Sequence, residues 1–161
     1  MKDKKTIMWV GISAKKDTSS KKSMPLNADT KTGKLVAEIE GQCSSLFFYK
    51  TNLVKFAPLD SKGKLRYPTF DECAKYYPKL LKEIKEIKPR VVFLLGNKTA
   101  KFVMNQLGFT SAKLSYKFQV YEYKKVWYVP IHHPSYIMVY KRKEKDQYIQ
   151  AVKVVIERLT S

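Results

Sequence analysis

Histidine, the side chain most often used to move protons near neutral pH, is scarce in this sequence. Histidine occurs twice, side by side, in the run His132-His133-Pro134-Ser135. An imidazole such as His133 can hold a carbonyl oxygen by a hydrogen bond as negative charge develops there. A histidine before proline otherwise serves as an ordinary turn residue. Asn52 follows the apolar run Leu46-Phe47-Phe48-Tyr49 and carries an amide that both donates and accepts hydrogen bonds. Its plainer role is to end a strand or start a turn. Asp17 and Asp29 are the carboxylates of the polar stretch that follows Gly11. Cys43 and Cys73 make neither a disulfide framework nor a metal set by themselves, so no cofactor is expected. Lys141, Arg142, Lys143 and Lys145 form a basic cluster suited to phosphate contact, or to a solvated helix start.

Charge narrows the choice of partner. The 161 residues carry 32 Lys and Arg against 14 Asp and Glu, a net charge of +18. A preference for lysine explains many cations but not the shortage of acids. A compact domain so charged repels itself unless a polyanion is near, which points to nucleic acid. No apolar run approaches the roughly 20 residues of a membrane span, so no membrane partner is expected. The basic start, Met1 to Lys5, leads into too short an apolar stretch for a signal peptide, and the cytosol is the expected compartment.

These residues must be held by a scaffold that the hydrophobic pattern outlines. Thr6 to Val10 reads as a buried strand running into Gly11, and a Lys-, Ser- and Thr-rich stretch then extends to about Lys34. Lys34 to Gly41 can form a short helix. Thr69 and Glu72 form a capping box ahead of a helical period over Phe70, Cys73, Tyr77, Leu80, Leu81, Ile84 and Ile87, with Pro78 expected to kink that helix or mark its start. Val91 to Leu95 is uniformly apolar, as a strand covered on both faces must be. A helix stopped by Gly108 follows. Tyr116, Phe118 and Val120 alternate with polar residues and predict an edge strand, Val126 to Ile131 a last core strand, and Tyr148 to Leu159 a final amphipathic helix. Alternating strands and helices predict a single domain, residues 1–161, of the α/β class.

Four segments in this order resemble the uracil-DNA glycosylase superfamily. They are the strand ending at Gly11; Asn52-Leu53-Val54-Lys55 with Arg66, Pro68, Thr69 and Glu72 after it; Lys88-Pro89-Arg90 leading into Val91 to Gly96; and His133-Pro134-Ser135. The resemblance implies a three-layer αβα sandwich on a four-stranded parallel sheet, and DNA, single-stranded or duplex with a flipped base, as partner of a monomer. It implies that Gly11, Ile12, Leu26, Asn52 and His133 surround the base, Asn52 reading its amide edge and His133 its carbonyl. It also implies that Ser135, Tyr136, Ile137 and Met138 lie against DNA as an apolar wedge, with Lys141, Arg142 and Lys143 on phosphates. The plainer role for Tyr136, Ile137 and Met138 is packing.

The departures from that pattern bear on activity. Where the family's first loop carries a water-activating acid, this chain has Ile12 and Ser13, and Asp17 is out of register. Leu26 replaces the aromatic that would stack on the base. Phe56 and Tyr76 stand where the iron–sulfur class has cysteines. The sequence therefore predicts a DNA-binding protein with a flipped-base pocket and weak or no uracil excision. One alternative is a glycosylase for uracil or another modified base that relies on His133 with Asp17 or Asp29. A second is a protein-interaction module with a vestigial pocket.

Overall fold

The computed structural model describes residues 5–15, 30–110 and 113–161. Its elements run, in chain order, β1 (Thr6–Ser13), α1 (Lys31–Gly41), β2 (Phe47–Val54), α2 (Phe70–Ile87), β3 (Val91–Leu95), α3 (Asn97–Gln106), β4 (Tyr121–Tyr123), β5 (Val126–Ile131), α4 (Pro134–Tyr140), a 3₁₀ turn (Arg142–Glu144) and α5 (Lys145–Thr160). The five strands form one sheet in the order β2-β1-β3-β5-β4.

Four of those strands are parallel, as expected, but the sheet is not four-stranded. Antiparallel β4 extends its edge, pairing Tyr121 with Tyr128 and Tyr123 with Val126. Residues 116–120 are not the edge strand that their alternation predicts. Tyr116, Phe118 and Val120 pack onto the core as partly buried side chains without joining a ladder. Alternation reports a half-buried face, and a non-sheet segment crossing the core has one too.

Helices cover both faces. On one side α1, α4 and α5 supply Val36, Ile39, Ile137, Tyr148, Val152 and Ile156, which pack on Ile7, Trp9 and Phe93. On the other, α2 and α3 supply Leu80, Ile84, Ala100, Val103 and Met104, packing on Met8, Val10, Val92 and Leu94. β3 is buried along its whole length because it is central and covered twice. Trp9 is fully buried, stacks on Phe93 at 4.8 Å and donates its indole N–H to Glu40 at 3.2 Å.

The capping box at Thr69 is formed as its spacing predicts, and Arg66 grips the same Glu72 at 2.7 Å. α2 neither starts nor stops at Pro78 and runs on to Ile87. The amide that Pro78 lacks would have bonded to the carbonyl of Ala74, and both residues lie on the solvent side.

β2 and β3 flank β1 on opposite sides, so the connections leaving β1 and β2 depart over different faces of the sheet. Ligands of such sheets bind at the carboxyl ends of the strands, where connections part in this way.

Candidate functional site

Gly11, near the end of β1, stands directly beside Asn52, near the end of β2. A Cβ on Gly11 would lie 2.7 Å from Asn52 Oδ1, so the absence of a side chain is what lets the amide lie across β1. Asn52 is only half-buried, and its backbone carbonyl accepts from Lys55 Nζ at 2.5 Å. Lys55 also donates to Thr51 Oγ1 at 2.6 Å and pairs with Glu83 of α2. Glu83 accepts from Tyr49 at 2.8 Å and Thr51 at 2.9 Å as well. This network ties the end of β2 to α2 and so fixes the strand that carries Asn52. Lys55 is visible in the sequence motif. Glu83 is a distant partner that no local spacing marks.

His133 leaves β5 and caps α4. Its Nδ1 accepts from the Ser135 amide at 3.0 Å and lies 2.8 Å from the Ser135 hydroxyl. A backbone N–H can only donate, so Nδ1 carries no proton, and the neutral ring holds its hydrogen on Nε2. Burial first, and the positive charge of Lys15 second, push the imidazole down to about 4. At neutral pH His133 is thus an uncharged donor. Gly96, which follows β3 with φ of 90°, lies next to it, and a Cβ there would come 3.7 Å from that of His133. Gly11, Asn52, Gly96 and His133 therefore sit along one rim, at the carboxyl ends of the four parallel strands.

His132 is structural. It stacks on Tyr136 at 4.9 Å and meets Tyr116 edge-on, and its carbonyl accepts from Tyr148 at 2.7 Å. Ser135 serves His133, since both its amide and its hydroxyl are directed to that ring.

Of the three residues after Ser135 that the resemblance implies as a wedge, only Tyr136 is exposed. Ile137 is fully buried among α1 and α5 side chains, and Met138 packs against the same core. In a short helix, residues facing inward cannot also face DNA, and three consecutive positions span most of a turn. Tyr136, Val139 and Tyr140 are the exposed apolar side chains of α4, the last two at 68% and 73%. Lys141, Arg142 and Lys143 are exposed immediately beyond, whereas Lys145 is paired with Glu38 at 3.6 Å.

β1 does not end at Gly11. Ile12 and Ser13 continue it, Ser13 in register with Val54, and Ala14 donates to Val54 at 3.3 Å. Ile12 is half-buried against the α2–α3 core. No carboxylate stands at either position. Asp17, Leu26 and Asp29 lie outside the described residues. Lys15 was not singled out by the sequence. Its charge acts on His133 across the rim, and only the fold brings the two together.

The residues present do not fit an iron–sulfur cluster. Phe56 and Tyr76 touch each other, ring centroids 5.5 Å apart, so the positions that would supply two thiolates are filled by an aromatic pair. Cys43 and Cys73 are buried in cores on opposite faces of the sheet, and burial pushes both thiols up, away from the thiolate a metal needs. Among the described residues no group of three or more His, Cys, Asp or Glu could hold a metal. None of the described helices is long and apolar enough to cross a membrane.

His133 carries a consequence for stability. The unfolded chain takes up this proton near pH 6.5 and the folded chain only near 4. Between those values the unfolded state binds more protons, so stability is lost as pH falls through that window, by roughly 2 kcal/mol. His133→Asn keeps a capping acceptor and does not titrate. Denaturation at pH 6.5 and 4.5 should therefore show a smaller acid loss in the variant than in the wild type.

A family model described as the uracil DNA glycosylase superfamily matches residues 5–155. A protein of Archaeoglobus fulgidus (strain ATCC 49558) named Type-4 uracil-DNA glycosylase is 30% identical over 105 residues, covering 62% of this chain and 50% of that protein. The chain thus spans about half the length of this curated relative. With the rim at the strand ends and the match running through nearly all of the sheet, the chain belongs to the uracil-DNA glycosylase superfamily.

Proposed function

We propose that this chain binds DNA and takes a flipped or unpaired base into the rim formed by Gly11, Asn52 and His133, with little or no ordinary uracil excision. The observation that carries the reading is a mismatch along one rim. The groups that would hold a base are retained, while β1 runs through Ile12 and Ser13 where a water-activating carboxylate would stand. Asn52 supplies a donor and an acceptor to the amide edge of the base, and the neutral His133 supplies Nε2–H to its carbonyl. The name of the Archaeoglobus relative supports uracil in DNA as the base to test first.

Hydrolysis needs more than a held base. A positioned general base is typically worth 10²–10⁴-fold, and a carboxylate also balances the cationic sugar as the base leaves. Lys15 favours a second reading. Its positive charge, which acts on His133, would also stabilise a departing anionic base, which suits a glycosylase acting on uracil or another modified base.

Fluorescence anisotropy with single-stranded DNA carrying one uracil, against the same strand with thymine there, tests the binding claim. The wild type should prefer uracil, and Asn52→Ala should erase that preference while leaving general DNA affinity in place. Equal affinity of the wild type for both strands would count against a base-reading rim.

A further inference from the structure

At the opposite end of the sheet a cavity of about 720 Å³ lies between the last turns of α2 and α3 and the hairpin joining β4 to β5. Lys85, Lys88, Lys124 and Lys125 line it, and no carboxylate does. None of these four lysines forms an ion pair among the described residues. Glu122 is the nearest acid in the hairpin. It alternates with Tyr121 and Tyr123, which belong to the α2–α3 side, so it faces the other way.

The backbone singles out the same residues. Lys88, Lys124 and Lys125, with φ of 53°, 49° and 67°, are the non-glycine residues of positive φ among those described. Lys88 ends α2 in the left-handed region, where glycine is favoured. Lys124-Lys125 fills a two-residue hairpin turn with both φ positive, where Asn-Gly is favoured. Three positions that glycine or asparagine would occupy without strain carry lysines, and all three line one cavity. Such clustering of unfavourable backbone is a mark of a functional site.

Apart from Gln106, the rest of the lining is aromatic and aliphatic. Tyr77 and Tyr123 are half-buried, Leu81 is 40% exposed, and Lys124 Nζ lies 5.4 Å from the centre of the Tyr123 ring. Carboxylates of an acidic peptide would need the cations alone. A nucleotide uses both parts, its phosphates on the lysines and its base on the tyrosine rings. The volume also lies within the roughly 300–1,000 Å³ range of small-ligand sites.

We propose that this cavity is a second, nucleotide-binding site, taking a phosphate with its attached base, either as free nucleotide or as one unit of a single strand. It is separate from the Asn52–His133 rim and does not depend on how that rim is read.

The test uses the triple variant Lys88→Gly, Lys124→Asn, Lys125→Gly. Each change removes a charge and gives the backbone a residue that suits it, so the melting temperature should equal or exceed that of the wild type. Adenosine triphosphate without divalent metal, and a short oligothymidylate, are titrated in turn while backbone amide shifts are followed by NMR. Shifts should gather on Leu81, Lys88, Leu107 and residues 123–126. Affinity should fall by about tenfold or more in the triple variant, as loss of several charge-assisted contacts requires. Asn52→Ala should leave these shifts unchanged. Tighter binding of the oligonucleotide assigns the strand, and tighter binding of the triphosphate assigns the free nucleotide. Undiminished affinity in the triple variant would overturn the proposal. So would equal shifts from inorganic triphosphate, which would show a bare anion cluster, or from a glutamate peptide, which would show a protein-docking patch.

Discussion

Replacing Lys141, Arg142 and Lys143 together with Ser is expected to weaken DNA binding about a hundredfold at low salt and to flatten the slope of log K against log salt by roughly 2–3. All three are exposed in the turn that follows α4, next to the outward-facing Val139 and Tyr140. Each cation that neutralises a phosphate releases a counterion, which contributes roughly 0.7–0.9 to the slope. Contacts to phosphate carry no sequence information, so strands of any sequence should lose affinity alike. Lys145 is left in place because it is held by Glu38 at 3.6 Å and anchors α5 to α1. Anisotropy titrations between low and moderate salt measure the slope directly. A slope unchanged in the variant would remove this cluster from the DNA interface.

Gly11→Ala should abolish the uracil preference almost as completely as Asn52→Ala, although residue 11 offers no group to a ligand. The added Cβ would sit 2.7 Å from Asn52 Oδ1, closer than such contacts allow. The atom it meets is the end of a side chain, so the amide swings away and the strand pairing survives. Losing the hydrogen bonds of a base-reading amide costs about 1–3 kcal/mol, or roughly 10–100-fold in affinity for the base. Thermal stability should change little, because the neighbouring ladder between β1 and β2 is undisturbed. The effects of Gly11→Ala and Asn52→Ala should not add, since both remove one interaction. Additive effects in the double variant would mean that Gly11 acts in some other way.

How much of this was legible in the sequence depended on how local each feature is. The buried strand at Val91–Leu95, the capping box at Thr69 and Glu72, and the helix stop near Gly108 are set by neighbours within a few residues, and all stand where the sequence predicts. Gly11, Asn52 and His133 stand out as candidates because each lies at or near the carboxyl end of a strand, and parallel strands share one carboxyl end. The sequence could not show that Gly11 and Asn52 pair across two strands, which makes the glycine a condition for the amide. Ile137 takes the packing role that the sequence left open beside the wedge implied by the resemblance, because a short helix after a turn shows too little periodicity to tell its inner face from its outer one. β4 was missed because three residues are too few to alternate visibly, while residues 116–120 imitate a strand by burying alternate side chains. Lys15, Glu83 and the contact between Phe56 and Tyr76 are products of tertiary structure, joined by no sequence spacing.

Single-turnover excision decides whether a base is held without efficient hydrolysis. Protein in excess is incubated with single-stranded DNA carrying one uracil, and abasic sites are then cleaved with alkali. The wild type should give little or no cleavage of the same strand that it binds in preference to the thymine control. Robust cleavage that disappears in His133→Ala would contradict this, because Ile12 and Ser13 would then have been no obstacle to activating water.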